Sequence, residues 1–313
     1  MTQDATHAQD PLTRFIGRQP ALSPAQGNAW DESRRYRLVS VLGEGGFGKV
    51  YQAEDTFSGN ALVAVKSINL SGLSATQVIE ATAGFNREVQ LLSTLSHPHL
   101  PRIHDHFTDP EHWYLVLDFI PGESLEHFMQ VHQSYRHPPD GTGFTPGGPL
   151  TLAEIFDLAL QLCDVLDYLH AHKPPIIFRD LKPSNIMRTP PGQHFLIDFG
   201  IARHFKPGQQ KDTIPFGSPG YAAPEQYGRA QTTPRTDIYS LGALLHHLLT
   251  GHDPAENGFA FAPLPELPPA LQGFEVFLRK MLAIHPEERP SSMKEVRDAL
   301  EYCMSQLGLL PSG

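Results

Sequence analysis

Two short segments of the sequence carry side chains that could together transfer a phosphoryl group. Residues 178–185 read Phe-Arg-Asp-Leu-Lys-Pro-Ser-Asn and supply a carboxylate at Asp180, a cation at Lys182 and an amide at Asn185. Further along the chain, Asp198 begins an Asp-Phe-Gly sequence. Phosphoryl transfer requires a positioned oxygen nucleophile, neutralised phosphate charge and a bound metal ion. The pattern R-D-x-K-x-x-N rarely arises by chance in one chain, so these segments predict that chemistry.

A lysine and a glutamate upstream have spacings that predict an ion pair. Lys66 ends the apolar strand pattern Val-Ala-Val-Lys, where taken alone it would be a solvated surface cation. Glu88 lies in a helical pattern and shares one face with apolar residues, namely Phe85, Val89, Leu92 and Leu95. A buried carboxylate needs a cation, and removing one partner of such a pair costs about 3–5 kcal/mol. We therefore expect Lys66 to pair with Glu88.

A glycine-rich motif of the form G-x-G-x-x-G occupies Gly43, Gly45 and Gly48. The motif alone is weak evidence, because a dinucleotide site also needs a following helix and an acidic residue about 20 positions on. A β-branched strand pattern follows the motif here, and the residue in that range is Lys66. A hairpin loop that covers phosphates fits better, since glycines let backbone amides approach an anion closely.

The elements that must position these groups differ between the two halves of the chain. Residues 36–119 show four short strand patterns, at 37–42, 50–53, 62–68 and 113–119, with one helical stretch between them. Later residues show long helical patterns, at 151–172, 237–250, 274–283 and 292–303. Capping boxes at Thr151/Glu154 and Ser292/Glu295 support two of the helices. A sheet with one helix, followed by a helical lobe, is the expected organisation.

The remaining segments are predicted to lie outside the core. Residues 1–35 are rich in Gln, Ala, Pro and Asp and lack an apolar period, which predicts a mobile tail, and 309–313 form a short second tail. Residues of about 134–150 are rich in proline and glycine, which predicts a surface insertion.

Composition excludes several other classes of protein. A length of 313 residues, 40% of them hydrophobic, is enough for a substantial core. The net charge of -10 opposes binding to nucleic acid, and no basic run offsets it. The only cysteines, Cys163 and Cys303, fall in separate helical patterns and do not indicate a disulfide framework. No secretory signal or run of about 18 apolar residues is visible, so we expect a cytoplasmic chain without a membrane segment.

In order and spacing, these motifs resemble the eukaryotic-type, or Hanks-type, serine/threonine protein kinases over residues 36–307. The phrases IIFRDLKPSNIM and GSPGYAAPEQY look most like bacterial members. The resemblance implies an α+β, two-lobed protein kinase fold, with an antiparallel sheet and one main helix in an N-lobe at 36–120 and a mostly helical C-lobe at 121–308. It implies ATP with Mg²⁺ or Mn²⁺ as cofactors and serine or threonine hydroxyls of proteins as acceptors.

The resemblance also assigns roles to individual residues. Lys66 would hold the α- and β-phosphates and pair with Glu88, Asp180 would orient the substrate hydroxyl and accept its proton, and Lys182 would contact the γ-phosphate. Asn185 and Asp198 would bind the metal ion. Leu42, Val50, Ala64 and Met187 would sandwich the adenine, and Leu117 would be the gatekeeper. The backbone from Asp118 to Ile120 would form the hinge that reads the base, and the loop of Gly43, Gly45 and Gly48 would cover the phosphates.

Other family positions have structural or regulatory roles. The activation segment would follow Gly200 and end at residues 223–225. Its Glu225 would pair with Arg289, and Asp237 would anchor the central helix. Arg179 would receive a phosphorylated residue of that segment, for which Thr213 is the first choice. Ser218 would instead hold the catalytic loop, residues 178–185. The chain departs from the family at Phe178, where histidine is usual. That position would stack with Phe199 and with residues matching Leu92 and Ile103, and it transfers no proton.

Two alternatives from other functional classes stay open. A pseudokinase would bind partners or nucleotide without transferring phosphate, but the lysine, glutamate, aspartates and asparagine that transfer requires are all present. A small-molecule kinase of related fold would use similar loops. The Ala-Pro-Glu sequence at 223–225 favours a protein substrate, because it ends the segment that supports an extended peptide in protein kinases.

Overall fold

A computed structural model describes residues 35–45, 48–108, 112–133, 146–190, 192–199, 203–204, 218–228, 231–256 and 260–308. These residues form two compact units. The strand-rich unit consists of the described residues of Met1–Thr94 and Arg102–Phe119, and the helical unit consists of those of Leu95–Pro101 and Ile120–Gly313. Of the predicted tails at 1–35 and 309–313, all residues except Arg35 lie outside the described residues.

The strand-rich unit contains one antiparallel sheet of five strands, in the order β1-β2-β3-β5-β4. Its strands are β1 (Tyr36–Gly45), β2 (Gly48–Asp55), β3 (Ala61–Asn69), β4 (Ile103–Thr108) and β5 (His112–Asp118). Side chains alternate between the two faces of a strand, and in β3 Val63 and Val65 are buried in the apolar core of the unit. The intervening Ala64 and Lys66 therefore lie on the opposite face.

One helix, α1 (Ala75–Leu92), packs within this unit. It begins with a capping box, in which the hydroxyl of Ser74 accepts from Gln77 N–H and the amide of Gln77 accepts from Ser74 N–H. The ring of Phe85 lies 5.2 Å from that of Trp113 in β5. The face of α1 that packs inward carries one charged residue, Glu88, which is buried.

The helical unit is built around two long helices. They are α3 (Leu152–His170), which begins with the predicted Thr151/Glu154 capping box, and α4 (Pro234–Thr250). Nearly every side chain of α4 is buried, as expected for a helix in the centre of a domain. The remaining helices are α2 (Leu125–Val131), α5 (Gln272–Met281) and α6 (Met293–Gln306).

Short strands of the helical unit position the two segments predicted to take part in phosphoryl transfer, residues 178–185 and the segment that begins at Asp198. They are β6 (Glu123–Ser124), β7 (Ile176–Ile177), β8 (Ile186–Arg188), β9 (His194–Leu196) and β10 (Arg203–His204). The catalytic segment 178–185 connects β7 to β8, and residues 197–199 follow β9. Because β8 pairs with β9, the loops lie side by side, and Ile197 N–H donates to Asn185 O at 2.9 Å.

The predicted fold class is confirmed, with local corrections; strand β4, for example, was missed by the sequence patterns. The capping box at Ser292/Glu295 is wrong in one half, because the Glu295 carboxylate accepts from Ser291 N–H and Oγ–H instead of from Ser292. The end of the predicted surface insertion is buried at Pro146–Leu150, except for a half-buried Gly147. Gly147 N–H donates to Leu249 O at 2.8 Å, and this pairing with the end of α4 draws the segment into the core.

Across the described ranges, no helix is both long enough and apolar enough to span a bilayer.

Candidate active site

The ion pair expected from the sequence is present in the strand-rich unit. Lys66 Nζ lies 2.9 and 3.1 Å from the two carboxylate oxygens of Glu88. The Glu88 side chain is 4% exposed, whereas that of Lys66 is 23% exposed. Charge-assisted hydrogen bonds of this kind are stronger than neutral ones, so the buried carboxylate holds the lysine in one orientation.

Two of the side chains predicted to contact adenine, Val50 and Ala64, lie on one face of the sheet together with Lys66 and the predicted gatekeeper Leu117. Val50 pairs directly with Lys66, and Ala64 pairs with Leu117. Because residues two apart on a strand share a face, these four positions lie opposite the apolar core. All four are half-buried, and Leu42 at the end of the same sheet is 48% exposed. The sheet therefore presents a partly exposed apolar surface beside the lysine.

The glycines of the motif serve different purposes. A Cβ at Gly48 would lie 1.7 Å from the backbone oxygen of Ser67, so glycine is required there for strand pairing. A Cβ at Gly43 would meet no described atom within 4 Å, so packing does not demand glycine at that position. Open space above the backbone fits close approach of a phosphate. Gly45 ends β1, and residues 46–47 at the tip lie outside the described ranges.

The predicted hinge begins at Asp118, whose side chain is anchored to its own unit. Its carboxylate accepts from Arg102 N–H at 2.9 Å and from His104 Nε2 at 2.7 Å. Burial acts to raise the pKa of Asp118, but these hydrogen bonds and the Arg102 guanidinium outweigh it and lower the pKa. The carboxylate is thus occupied by contacts within its own unit. Ile120 and Met187, also predicted to contact the nucleotide, belong to the helical unit.

In the helical unit, the carboxylate of Asp180 is held by three side chains. Ser218 Oγ–H donates to Oδ1 at 2.8 Å, while Lys182 Nζ lies 3.0 Å from Oδ2. Asn185 Nδ2 donates both to Oδ2 and to the backbone oxygen of Asp180, each at 2.9 Å. Lys182 Nζ also donates to Ser218 Oγ at 2.6 Å. The carboxylate that would accept the substrate proton therefore has a defined orientation.

The backbone leading into Asp180 is anchored by Asp237 in α4. This fully buried carboxylate accepts from Phe178 N–H at 2.9 Å, from Arg179 N–H at 2.8 Å and from His170 Nε2 at 2.8 Å. Arg179 adopts a left-handed φ of 73°, which a residue with a Cβ rarely occupies. Three donors on one carboxylate thus stabilise an unfavourable backbone turn immediately before Asp180.

The side chains predicted to bind metal have suitable chemistry. Both side-chain hydrogen bonds of Asn185 that involve described residues are donated by its amide nitrogen, which leaves the amide oxygen available as a ligand. Asp198 is exposed and follows Ile197, which is hydrogen-bonded to Asn185. Carboxylate and amide oxygens are ligands that Mg²⁺ and Mn²⁺ prefer. The residues present fit a divalent cation.

The end of the activation segment is joined to the start of α4 by Thr236 and by a buried ion pair with Arg289, which also donates to Arg235 O at 3.0 Å. Arg289 donates to the two carboxylate oxygens of Glu225 at 2.8 and 2.9 Å, and Thr236 Oγ–H also donates to Glu225.

Phe178 and Phe199 are buried with their rings 5.1 Å apart, edge to face. Their predicted partners Leu92 and Ile103 belong to the strand-rich unit, and Thr213 lies outside the described residues.

Sequence reasoning missed two residues that support the catalytic loop. One is His170, whose contact with Asp237 is described above. The other is Gln226, which lies directly after Glu225 and donates from Nε2 to Arg179 O at 2.8 Å. Neither residue stands out in the sequence, because each acts across a long stretch of chain on a backbone group or on a second side chain.

Comparison with known proteins identifies the family. The sequence profile of the protein kinase domain matches residues 36–303. The chain belongs to the protein kinase family. The resemblance to this family seen in the sequence is thereby confirmed. Kinases of this family use ATP together with a divalent metal ion.

Similar proteins include several bacterial kinases. The probable serine/threonine-protein kinase PknB of Lactococcus lactis is 32% identical over 264 residues, which cover 84% of this chain and 38% of that protein. Serine/threonine-protein kinase pkn2 of Myxococcus xanthus is 32% identical over 304 residues, covering 89% and 34%. For PrkC of Bacillus subtilis the identity is 32% over 226 residues, covering 72% and 32%. This kinase chain thus spans well under two thirds of each relative.

Proposed function

We propose that this kinase transfers the γ-phosphate of ATP to serine or threonine hydroxyls of proteins. The observation that carries the proposal is the arrangement at Asp180, whose carboxylate is oriented by Ser218, Lys182 and Asn185 at 2.8–3.0 Å. The relatives described above are all named serine/threonine-protein kinases, which supports the same acceptor chemistry.

The residues divide the work of phosphoryl transfer. Lys66, held by Glu88, positions the α- and β-phosphates, and Lys182 neutralises negative charge on the transferred group. Asp180 orients the substrate hydroxyl and accepts its proton. ATP supplies the phosphoryl group, and the divalent cation on Asn185 and Asp198, which we propose to be Mg²⁺, neutralises phosphate charge when bound. Since ATP is the donor, we also propose the cytoplasm as the site of action.

A transfer assay tests this function. Labelled ATP, Mg²⁺ and a panel of proteins should give labelled serine or threonine with the wild-type chain, and Lys66→Met and Asp180→Asn should each reduce turnover by about 100-fold or more. The matched controls Lys294→Met and Asp298→Asn change an exposed ion pair on α6 and should retain activity. A wild-type chain that labels no protein, or folded variants with full turnover, would refute the proposal.

We further propose that the kinase phosphorylates its own activation segment at Thr213. The support is the position of this threonine in a polar stretch of that segment. Ser218 is a poorer candidate, because its hydroxyl already bridges Lys182 and Asp180. Mass spectrometry after incubation with ATP should find phosphate on Thr213, and an unmodified segment between 204 and 218 would remove autophosphorylation from the proposal.

A further inference from the structure

The backbone carbonyl of Arg179 has a buried partner for which the proposed chemistry gives no role. Gln226 is 1% exposed, and its Nε2 donates to Arg179 O at 2.8 Å. Its Oε1 accepts from Ala223 N–H at 3.0 Å. The amide therefore bridges two backbone groups, one in the catalytic loop and one at the end of the activation segment.

The Arg179 carbonyl lies directly before Asp180, so the bridge bears on the orientation of that residue. The carbonyl of Arg179 and the N–H of Asp180 belong to the same planar peptide unit. Arg179 has a left-handed φ of 73°, so outside contacts must hold that backbone in place. Asp237 holds the N–H of Arg179, and Gln226 holds its carbonyl. Rotation of this peptide unit would turn the Asp180 side chain away from its partners.

Gln226 is itself rigidly supported. It lies in a short 3-10 turn at Pro224–Tyr227, next to Glu225 and its buried ion pair with Arg289. Its side chain caps that turn through Ala223 N–H. A side chain fixed at both ends in this way can transmit the placement of the activation segment to the peptide unit before Asp180.

We propose that Gln226 is a positioning residue for phosphoryl transfer, which sets the orientation of Asp180 by holding the Arg179 carbonyl to the end of the activation segment. This inference rests on the proposed kinase function. It assigns Gln226 no contact with ATP or with the substrate. Its loss should therefore lower kcat and leave the KM for ATP nearly unchanged.

The first test removes both hydrogen bonds with little change of volume. In Gln226→Met we expect kcat to fall by about 10- to 100-fold, as for small misplacements of a catalytic group, with the KM for ATP within about threefold of wild type. Gln306→Met, at an exposed position on α6, is the matched control and should have wild-type kinetics. A folded Gln226→Met with wild-type kcat would overturn the proposal.

The second test distinguishes the hydrogen bond to Arg179 from general packing. In Gln226→Glu, an ionised carboxylate still accepts from Ala223 N–H but cannot donate to the carbonyl, whereas a protonated one can. Burial raises the pKa of such a carboxyl, so kcat relative to wild type should rise as pH falls from about 8 to about 6. Gln306→Glu should show no such trend. A ratio that does not depend on pH would overturn the role of the donor, even if Gln226→Met failed to fold.

Amide hydrogen exchange separates this proposal from the proposed function. Peptides covering residues 178–185 should exchange faster in Gln226→Met than in wild type or Gln306→Met, whether or not the chain transfers phosphate. If the wild type transfers no phosphate, the proposed function fails. Faster exchange in Gln226→Met would still support the hydrogen bond from Gln226 to Arg179 as the contact that holds this segment. Unchanged exchange in this segment, with the rest of the chain folded, would refute that role of the hydrogen bond.

Discussion

At the scale of single residues, Asp180 and Asn185 form one unit with two tasks. The amide nitrogen of Asn185 orients Asp180, while its oxygen is the group that would bind metal beside Asp198. A single amide thus connects the proposed proton acceptor to the proposed cation site. Changes at Asn185 should disturb both tasks, whereas changes at Asp198 should act chiefly on metal binding.

This difference predicts distinct metal titrations. Asp198→Asn should raise the Mg²⁺ concentration for half-maximal activity by about tenfold or more, with turnover partly restored at high Mg²⁺. Asn185→Ala should raise it too, but turnover should stay low at saturating metal because Asp180 loses two hydrogen bonds. Activity measured across a Mg²⁺ series checks both, with Asp298→Asn as an exposed control. Transfer by the wild type in the presence of a chelator would contradict the metal assignment.

Phe178 gives a second prediction at this scale. The side chain is fully buried against Phe199 at a position where the family usually has histidine. Phe178→His should keep most activity, because this position transfers no proton. Phe178→Gly should leave a cavity, cost about 3–5 kcal/mol of unfolding free energy by analogy with Phe→Ala, and strongly reduce turnover. Turnover and melting temperature of the two variants check this, and a fully active, stable Phe178→Gly would show that the stack with Phe199 is dispensable.

At the scale of elements, α4 is the support on which the catalytic loop and the activation segment meet. Its first turn carries Asp237, which holds the backbone before Asp180, and Thr236, which donates to Glu225. Arg289 completes this support from the far end of the chain. The long, largely buried helix therefore fixes two loops that are far apart in sequence.

The ion pair at this junction predicts a large loss of stability. Arg289→Ala would leave the Glu225 carboxylate buried without its cation, which costs about 3–5 kcal/mol. Arg279→Ala removes an exposed pair with Glu275 on α5 and should cost less than about 0.5 kcal/mol. Denaturant unfolding of wild type and of the two variants measures the loss of unfolding free energy in each variant. Equal stabilities would mean that the buried pair does not hold the segment to α4.

At the scale of the whole molecule, a buried histidine makes stability depend on pH. His194 in β9 is 4% exposed, and neither of its ring nitrogens has a hydrogen-bond partner among the described residues. Burial lowers its pKa from 6.5 to about 4, and the nearby Arg188 and His99 act in the same direction. The unfolded chain binds this proton more readily, so stability is fully present above pH 6.5 and is lost as pH falls toward 4.

This linkage can be measured by replacing the imidazole. Between about pH 7.5 and about pH 5, His194 should account for about 2 kcal/mol of lost unfolding free energy. His194→Leu should lose correspondingly less over that interval, whereas His127→Leu, at an exposed position, should follow the wild type. Denaturant unfolding at a series of pH values gives the three curves. Parallel curves for His194→Leu and wild type would show that the buried ring does not control acid sensitivity.

The sequence alone determined the fold class, and it predicted which residues would form the candidate site. Alternating and helical apolar patterns are local properties, so the order of sheet and helices could be predicted from them. The pairing of Lys66 with Glu88 was also predictable, because a carboxylate on an apolar helix face requires a cation. Spacing within residues 178–185 was enough to indicate a base, a cation and a metal ligand.

Only the tertiary structure decided how the catalytic loop is held. Gln226 and His170 act on partners 47 and 67 residues away, and polar contacts of such separation leave no period or spacing in the sequence. Burial of residues 146–150 could not be predicted either. A segment rich in proline and glycine is normally expected at the surface, and here it is buried because its backbone hydrogen-bonds to Leu249. Side-chain type dictates local structure, but the satisfaction of buried backbone groups depends on which segments the fold brings together.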